Sequence, residues 1–133
     1  MISTRPFASV FVAGEKIAKG SNVSSPILHA GHLYWMHESQ GIAYCAEART
    51  GRIVYEERMD RRGQVYASPV LADGKLYYVE RGGRTHVLAA KPAFERLATN
   101  DLGERSMFNA CPAVAGGRLF LRSDKTLYCL GGR

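Results

Sequence analysis

Four histidines, three cysteines and two similarly placed serines are the residues of this 133-residue chain best suited to chemistry. His29 and His32 flank the dipeptide Ala30-Gly31, and His37 and His86 lie further along. A tight turn brings flanking imidazoles together, which would supply two ligands of a metal site that needs at least a third. Cys45, Cys111 and Cys129 are odd in number and cannot all pair. None shows the close spacing of a zinc knuckle or a redox motif, so free, mostly buried thiols are expected. Ser25 and Ser68 each precede a proline, as does Cys111. A hydroxyl or thiol of this kind becomes a nucleophile only beside a base held by a third group. No Asp, Glu or Asn run has the spacing of a calcium loop.

The elements that would have to position these residues explain most of them. Pro26, Pro69 and Pro112 are spaced by 43 residues, as are Gly31, Gly74 and Gly117. The same step relates Leu33, Leu76 and Leu119, and the aromatics Tyr34, Tyr77 and Phe120. A fixed period of this length marks a repeat architecture. On that period Ser25, Ser68 and Cys111 are one recurring position, which argues for packing rather than a unique active centre. His29 and His32 correspond to Ala72 and Lys75, then Ala115 and Arg118. They are therefore read as polar residues flanking a turn.

Each copy reads as strands. A short apolar run after the proline is followed by "HAG", "ADG" or "AGG" and then by a second apolar run. Asp-Gly and Gly-Gly between such runs are hairpin turns, because they accept positive φ. A second turn follows at "ESQG", "RGGR" or "SDK", then a third strand at "IAYCAE", "THVLAA" or "TLYCLG". Fourth strands are expected at "RIVYEER" (52–58) and "ERLATND" (95–101). Four antiparallel strands per 43 residues make one blade of a β-propeller. The expected fold is all-β: a partial β-propeller with a leader and outer strand at 1–22, blades at 23–65 and 66–108, and an incomplete three-stranded blade at 109–133. The leader contains "SVFVAG", in which Val12 lies one 43-residue step before Tyr55. An exposed blade face and free strand edges predict self-association.

Residues 45–55, "CAEARTGRIVY", carry a family resemblance. The segment is similar to the A-x-D-x-x-T-G-x-x-x-W signature of quinoprotein-like (PQQ-repeat) propellers. Thr50 and Gly51 match, while Glu47, Cys45 and Tyr55 stand for the Asp, Ala and Trp. The resemblance implies that Thr50-Gly51 turns the chain between third and fourth strands and that Tyr55 docks between blades. The second copy, "LAAKPAFERLA", keeps neither Thr-Gly nor the closing aromatic. The resemblance extends over about residues 20–133 and is to the C-terminal portion of such a propeller, with non-catalytic bacterial members as models.

No catalytic, cofactor-binding or metal-ligating residue is assigned. There is no adjacent cysteine pair of the kind that quinoprotein dehydrogenases hold near PQQ, and the single tryptophan, Trp35, is expected between blades. The expected function is a non-catalytic scaffold or protein- or ligand-binding segment, with no cofactor of its own. The alternative is a fragment of a PQQ-dependent alcohol or sugar dehydrogenase whose cofactor ligands lie in further blades. The formal charge of +6 comes from scattered basic residues without a stripe, so a nucleic-acid partner is not expected. The "GGR" triplets at 82–84, 116–118 and 131–133 are read as turn chemistry. No stretch approaches the roughly 20 apolar residues of a membrane span, and no signal peptide is visible. Expected partners are the remaining blades of a longer propeller, a second copy, or another protein. The resemblance implies a periplasmic or secreted parent.

Overall fold

A computed structural model describes residues 20–131. The expected leader strand at "SVFVAG" lies outside the described residues. Among the described residues eleven strands form three antiparallel sheets. Blade 1 holds β1 (Ile27–His29), β2 (His32–Met36), β3 (Ile42–Glu47) and β4 (Ile53–Arg58), in that spatial order. Blade 2 repeats it with β5 (Val70–Ala72), β6 (Lys75–Val79), β7 (Arg84–Ala89) and β8 (Arg96–Asp101). Blade 3 has β9 (Ala113–Ala115), β10 (Arg118–Arg122) and β11 (Leu127–Leu130). No helix among the described residues is long and apolar enough to cross a membrane.

The first turn of each blade has two central residues with positive φ: Ala30 and Gly31, Asp73 and Gly74, Gly116 and Gly117. Two-residue turns of this hand match the twist of the strands they join. Asp and Gly suit the first position, whereas Ala30 is held there at φ 46° against its own preference. The Thr50-Gly51 turn forms as the resemblance implied. Arg52 N–H donates to Thr50 Oγ1 (3.2 Å), and Gly51 N–H donates to the Glu47 carbonyl (2.8 Å). Both complete blades carry a bulge at the same place, where the register shifts opposite Cys45/Ala46 and Val87/Leu88.

Side chains alternate across each strand, and the alternation builds the interfaces between blades. Tyr34, Met36, Ala43, Cys45 and Tyr55 of blade 1 meet Leu76, Tyr78 and Leu88 of blade 2 in one buried cluster, with Met59 and Val65 of the connection. Tyr55 sits between the blades, edge-on to Phe94 of blade 2 at 5.7 Å and beside Tyr34 at 6.5 Å. Between blades 2 and 3 the buried set is Ala67, Val79, Phe108 and Leu121. The connections lock this arrangement at the 43-residue step. Val65 N–H donates to the Glu38 carbonyl and Phe108 N–H to the Arg81 carbonyl (2.8 and 2.9 Å).

Candidate functional site

The polar residues most tightly held in the molecule surround the turn between β6 and β7. Glu80 and His86, six residues apart, are both buried. The Glu80 amide donates to the Arg84 carbonyl, closing the turn and pointing both side chains to the blade 1 side. There His86 Nε2 donates to Glu80 Oε1 at 2.6 Å, and Arg84 lies 3.5 Å from the same carboxylate. Gly63, in the connection between blades 1 and 2, rests directly on this carboxylate, so that a Cβ there would overlap it. Thr99 of β8 lies opposite His86, its hydroxyl 3.5 Å from Nδ1. Arg96 of β8 pairs with Asp60 of the connection at 2.6 Å. An open cavity of about 480 Å³ lies over His86, bounded by Asp60, Arg61, Arg84, Arg96 and Asp101.

Hydroxyl, imidazole and carboxylate stand in the order that nucleophilic catalysis uses. The separation from Thr99 to His86, at 3.5 Å, exceeds the bond through which a base takes a proton. A comparison with blade 3 accounts for the arrangement. His86 pairs with Tyr78 across the sheet, as Tyr128 pairs with Leu121 and Tyr44 with Trp35, so the three residues hold one position. The Tyr128 hydroxyl donates to Glu104, in the connection between blades 2 and 3. That bond draws the Glu104 carboxyl below its usual range and raises the Tyr128 phenol. Ser123 and Thr126 add hydrogen bonds to the same carboxylate (3.3 and 3.2 Å). In two blades, then, this position binds a carboxylate, which in blade 2 belongs to Glu80 of the blade's own turn and in blade 3 to Glu104 of the connection. Blade 1 instead stacks Tyr44 on Trp35, ring centres 5.2 Å apart.

The other candidates fall into structural places. His29 and His32 are paired across the first turn, as the spacing suggested. His32 Nδ1 lies 3.1 Å from the Ala30 carbonyl, and His37 Nδ1 accepts from the Ser39 amide. No group of three possible metal ligands occurs among the described residues. Trp35 is buried in a cluster with Ile42, Tyr44 and Ala46, on the face of blade 1 turned away from blade 2. The recurring Ser, Ser and Cys form a ladder: Ser25 N–H donates to Ser68 Oγ (2.8 Å), and Ser68 N–H donates to Cys111 Sγ (3.3 Å). Of the three thiols Cys45 alone is buried. The expectation of mostly buried thiols fails for Cys111 and Cys129, because no further described blade covers blade 3.

A second cavity, of about 560 Å³, opens between blades 2 and 3, lined by Tyr77, Asn100, Val114, Arg118, Leu119 and Leu130 among others. Sequence reasoning missed it, and missed the role of Glu80. The spacing of Glu80 and His86 around the "RGGR" turn was the available signal for the latter.

No protein-family model and no curated protein matches the chain. Solved structures do. BamB from Moraxella catarrhalis is 18% identical over 79% of this chain and 32% of its own, with a TM-score of 0.63. The quinohemoprotein alcohol dehydrogenase of Comamonas testosteroni is 18% identical over 76% of this chain and 17% of its own, with a TM-score of 0.61. The Cps50 (Swd1) β-propeller domain of Myceliophteria thermophila is 17% identical over 80% of this chain and 38% of its own, with a TM-score of 0.64. The chain thus spans less than half the length of each. Three antiparallel sheets repeated at one step, together with these likenesses, establish the fold as a partial β-propeller.

Proposed function

We propose that the chain is a non-catalytic segment of a quinoprotein-like propeller, working as a scaffold or a protein- or ligand-binding module. The observation that carries this reading is the recurrence at the position of His86. A similar carboxylate bond made by Tyr128 one blade later supports reading the Glu80–His86 pair as part of the fold rather than as a base and its orienter. The Ser25–Ser68–Cys111 ladder supports a structural role for the other nucleophile candidates in the same way. The absence of a quinone site in this segment is supported by the Trp35 ring, which is stacked on Tyr44 within a buried cluster. The PQQ-repeat resemblance at Thr50-Gly51 supports a periplasmic or secreted setting, and the BamB likeness supports a protein partner. The test is incubation with PQQ and calcium followed by a dye-linked assay on alcohols and sugars. No turnover and no saturable quinone absorbance are expected. Turnover that needs PQQ would replace this reading with the dehydrogenase one.

A further inference from the structure

The connections entering blades 2 and 3 share one register. The strands that bound them end at Arg58 and Asp101 and resume at Val70 and Ala113, one repeat step apart at both ends. Arg61 therefore holds the position of Glu104. In blade 3 the Glu104 carboxylate fills that position and is bonded by Tyr128, Ser123 and Thr126. Blade 2 carries His86, Glu80 and Arg84 at the corresponding sheet positions. Its buried carboxylate thus comes from the turn, and it already holds both His86 and Arg84. The connection brings a guanidinium instead of a carboxylate. Arg61 makes no ion pair with a described residue and lines the open cavity of about 480 Å³. All the walls of that cavity belong to blade 2 and to the connection that enters it.

Three guanidiniums, of Arg61, Arg84 and Arg96, border this cavity. Their planar forks match the two oxygens of a carboxylate. Arg96 already holds one, that of Asp60, at 2.6 Å, although the Asp60 side chain is 78% exposed. Asp60 and Asp101 line the same cavity, so a ligand with two negative charges would meet repulsion there. The remaining groups suit hydroxyls. His86 Nε2 is committed to Glu80, so the neutral imidazole presents Nδ1 as an acceptor, 3.5 Å from the Thr99 hydroxyl. Asp101 accepts the Gly103 amide with Oδ1, and its second oxygen can accept from a ligand. The volume lies within the range of small-molecule sites, about 300–1,000 Å³.

We propose that this cavity binds a small monocarboxylate carrying several hydroxyls, a sugar acid of hexuronate size. Its carboxylate takes, between Arg61 and Arg96, the place that Glu104 takes one blade later, and displaces Asp60 from Arg96. Its hydroxyls meet Asp101, His86 Nδ1 and Thr99. Arg84 adds positive charge without leaving Glu80. This deepens the ligand-binding part of the function proposed above and rests on it.

The test is titration calorimetry of the unaltered chain with glucuronate, glucose 6-phosphate and glucose. Glucuronate should bind saturably. Glucose lacks the charge and glucose 6-phosphate carries a second one, so both should bind at least tenfold more weakly. Arg61 is exposed, so Arg61→Gln should leave the circular dichroism spectrum unchanged while weakening glucuronate at least tenfold. Thr99→Val, also at an exposed position, should weaken it by a smaller factor. No saturable binding of glucuronate at millimolar concentration, equal binding to the Arg61→Gln variant, or tighter binding of glucose 6-phosphate would each overturn the proposal. Each of those results would leave the scaffold reading standing, which the PQQ assay tests separately.

Discussion

The interface between blades 1 and 2 and the interface between blades 2 and 3 are built from the same repeat positions, yet they pack differently. The first buries a continuous cluster running from Tyr34 to Leu88, and the second buries Ala67, Val79, Phe108 and Leu121 beside a cavity of about 560 Å³. One difference lies in a side chain of the outer strand. Tyr55 lies opposite Cys45 in blade 1, and Ala98 lies opposite Val87 in blade 2. An aromatic ring there fills the rim between blades, and here it does so with Phe94 edge-on against it. Ala98 places only a methyl group at the same position of blade 2. The repeat sets the positions, and the side chains at them differ in volume from one interface to the next.

The largest effect should come from making the first interface resemble the second. Tyr55→Ala removes a ring that is 8% exposed and packed between two blades. Large-to-small changes of this kind cost about 3–5 kcal/mol, because the surroundings collapse only partly. Urea unfolding should show a loss of that size. A loss below about 1 kcal/mol would mean that the rim aromatic is not what separates the two interfaces.

Alkaline pH should strain the first interface next. Burial is the main cause that raises the phenols of Tyr34, Tyr55 and Tyr78 and the thiol of Cys45, with Tyr34 pushed up to about 12. Each group is neutral in the folded protein at a pH where the unfolded chain would already ionise. Their contribution is fully present below the ordinary thiol value of 9.0 and is lost as the pH rises toward 12 and beyond. The tyrosinate absorbance of these residues should therefore appear together with the loss of the β-sheet circular dichroism signal. Smooth titration of all tyrosines well before unfolding would show that the cluster is open to water. At the second interface Tyr128 is raised by a different cause, its hydrogen bond to Glu104, and acid removes that bond instead.

What was legible in the sequence follows the same division. The 43-residue step located the hairpins, because positive φ at Asp73-Gly74 and Gly116-Gly117 is a local demand written in local residues. Thr50-Gly51 located the third turn for the same reason, and Tyr55 announced its interface through the resemblance. The Glu80–His86 bond was not legible. It depends on the turn bringing two residues together and on Gly63 lying over them from another segment, and no other copy repeats that pair. Nor was the cavity between blades 2 and 3 foreseen, since a gap exists only when the facing blade is in place. The exposure of Cys111 and Cys129 depends on what covers blade 3, which composition does not record.

The smallest predicted effect isolates the polar ladder that both interfaces share. Ser25 N–H reaches the Ser68 hydroxyl at 2.8 Å, while Ser68 N–H reaches the Cys111 sulfur at 3.3 Å. Sulfur is a weak acceptor, and an amide bond to a hydroxyl contributes about 1 kcal/mol net. Cys111→Ser puts the acceptor of the first interface into the second. Because Cys111 is exposed and its neighbours need not repack, the substitution should stabilise by about 0.5 kcal/mol, well below the net value of a full bond. Amide exchange at Ser68 should slow in the variant, while exchange at Ser25 should stay as it was. A faster Ser68 amide would show that the sulfur was holding the third blade through packing, and that the ladder's hydrogen bonds are not equivalent from blade to blade.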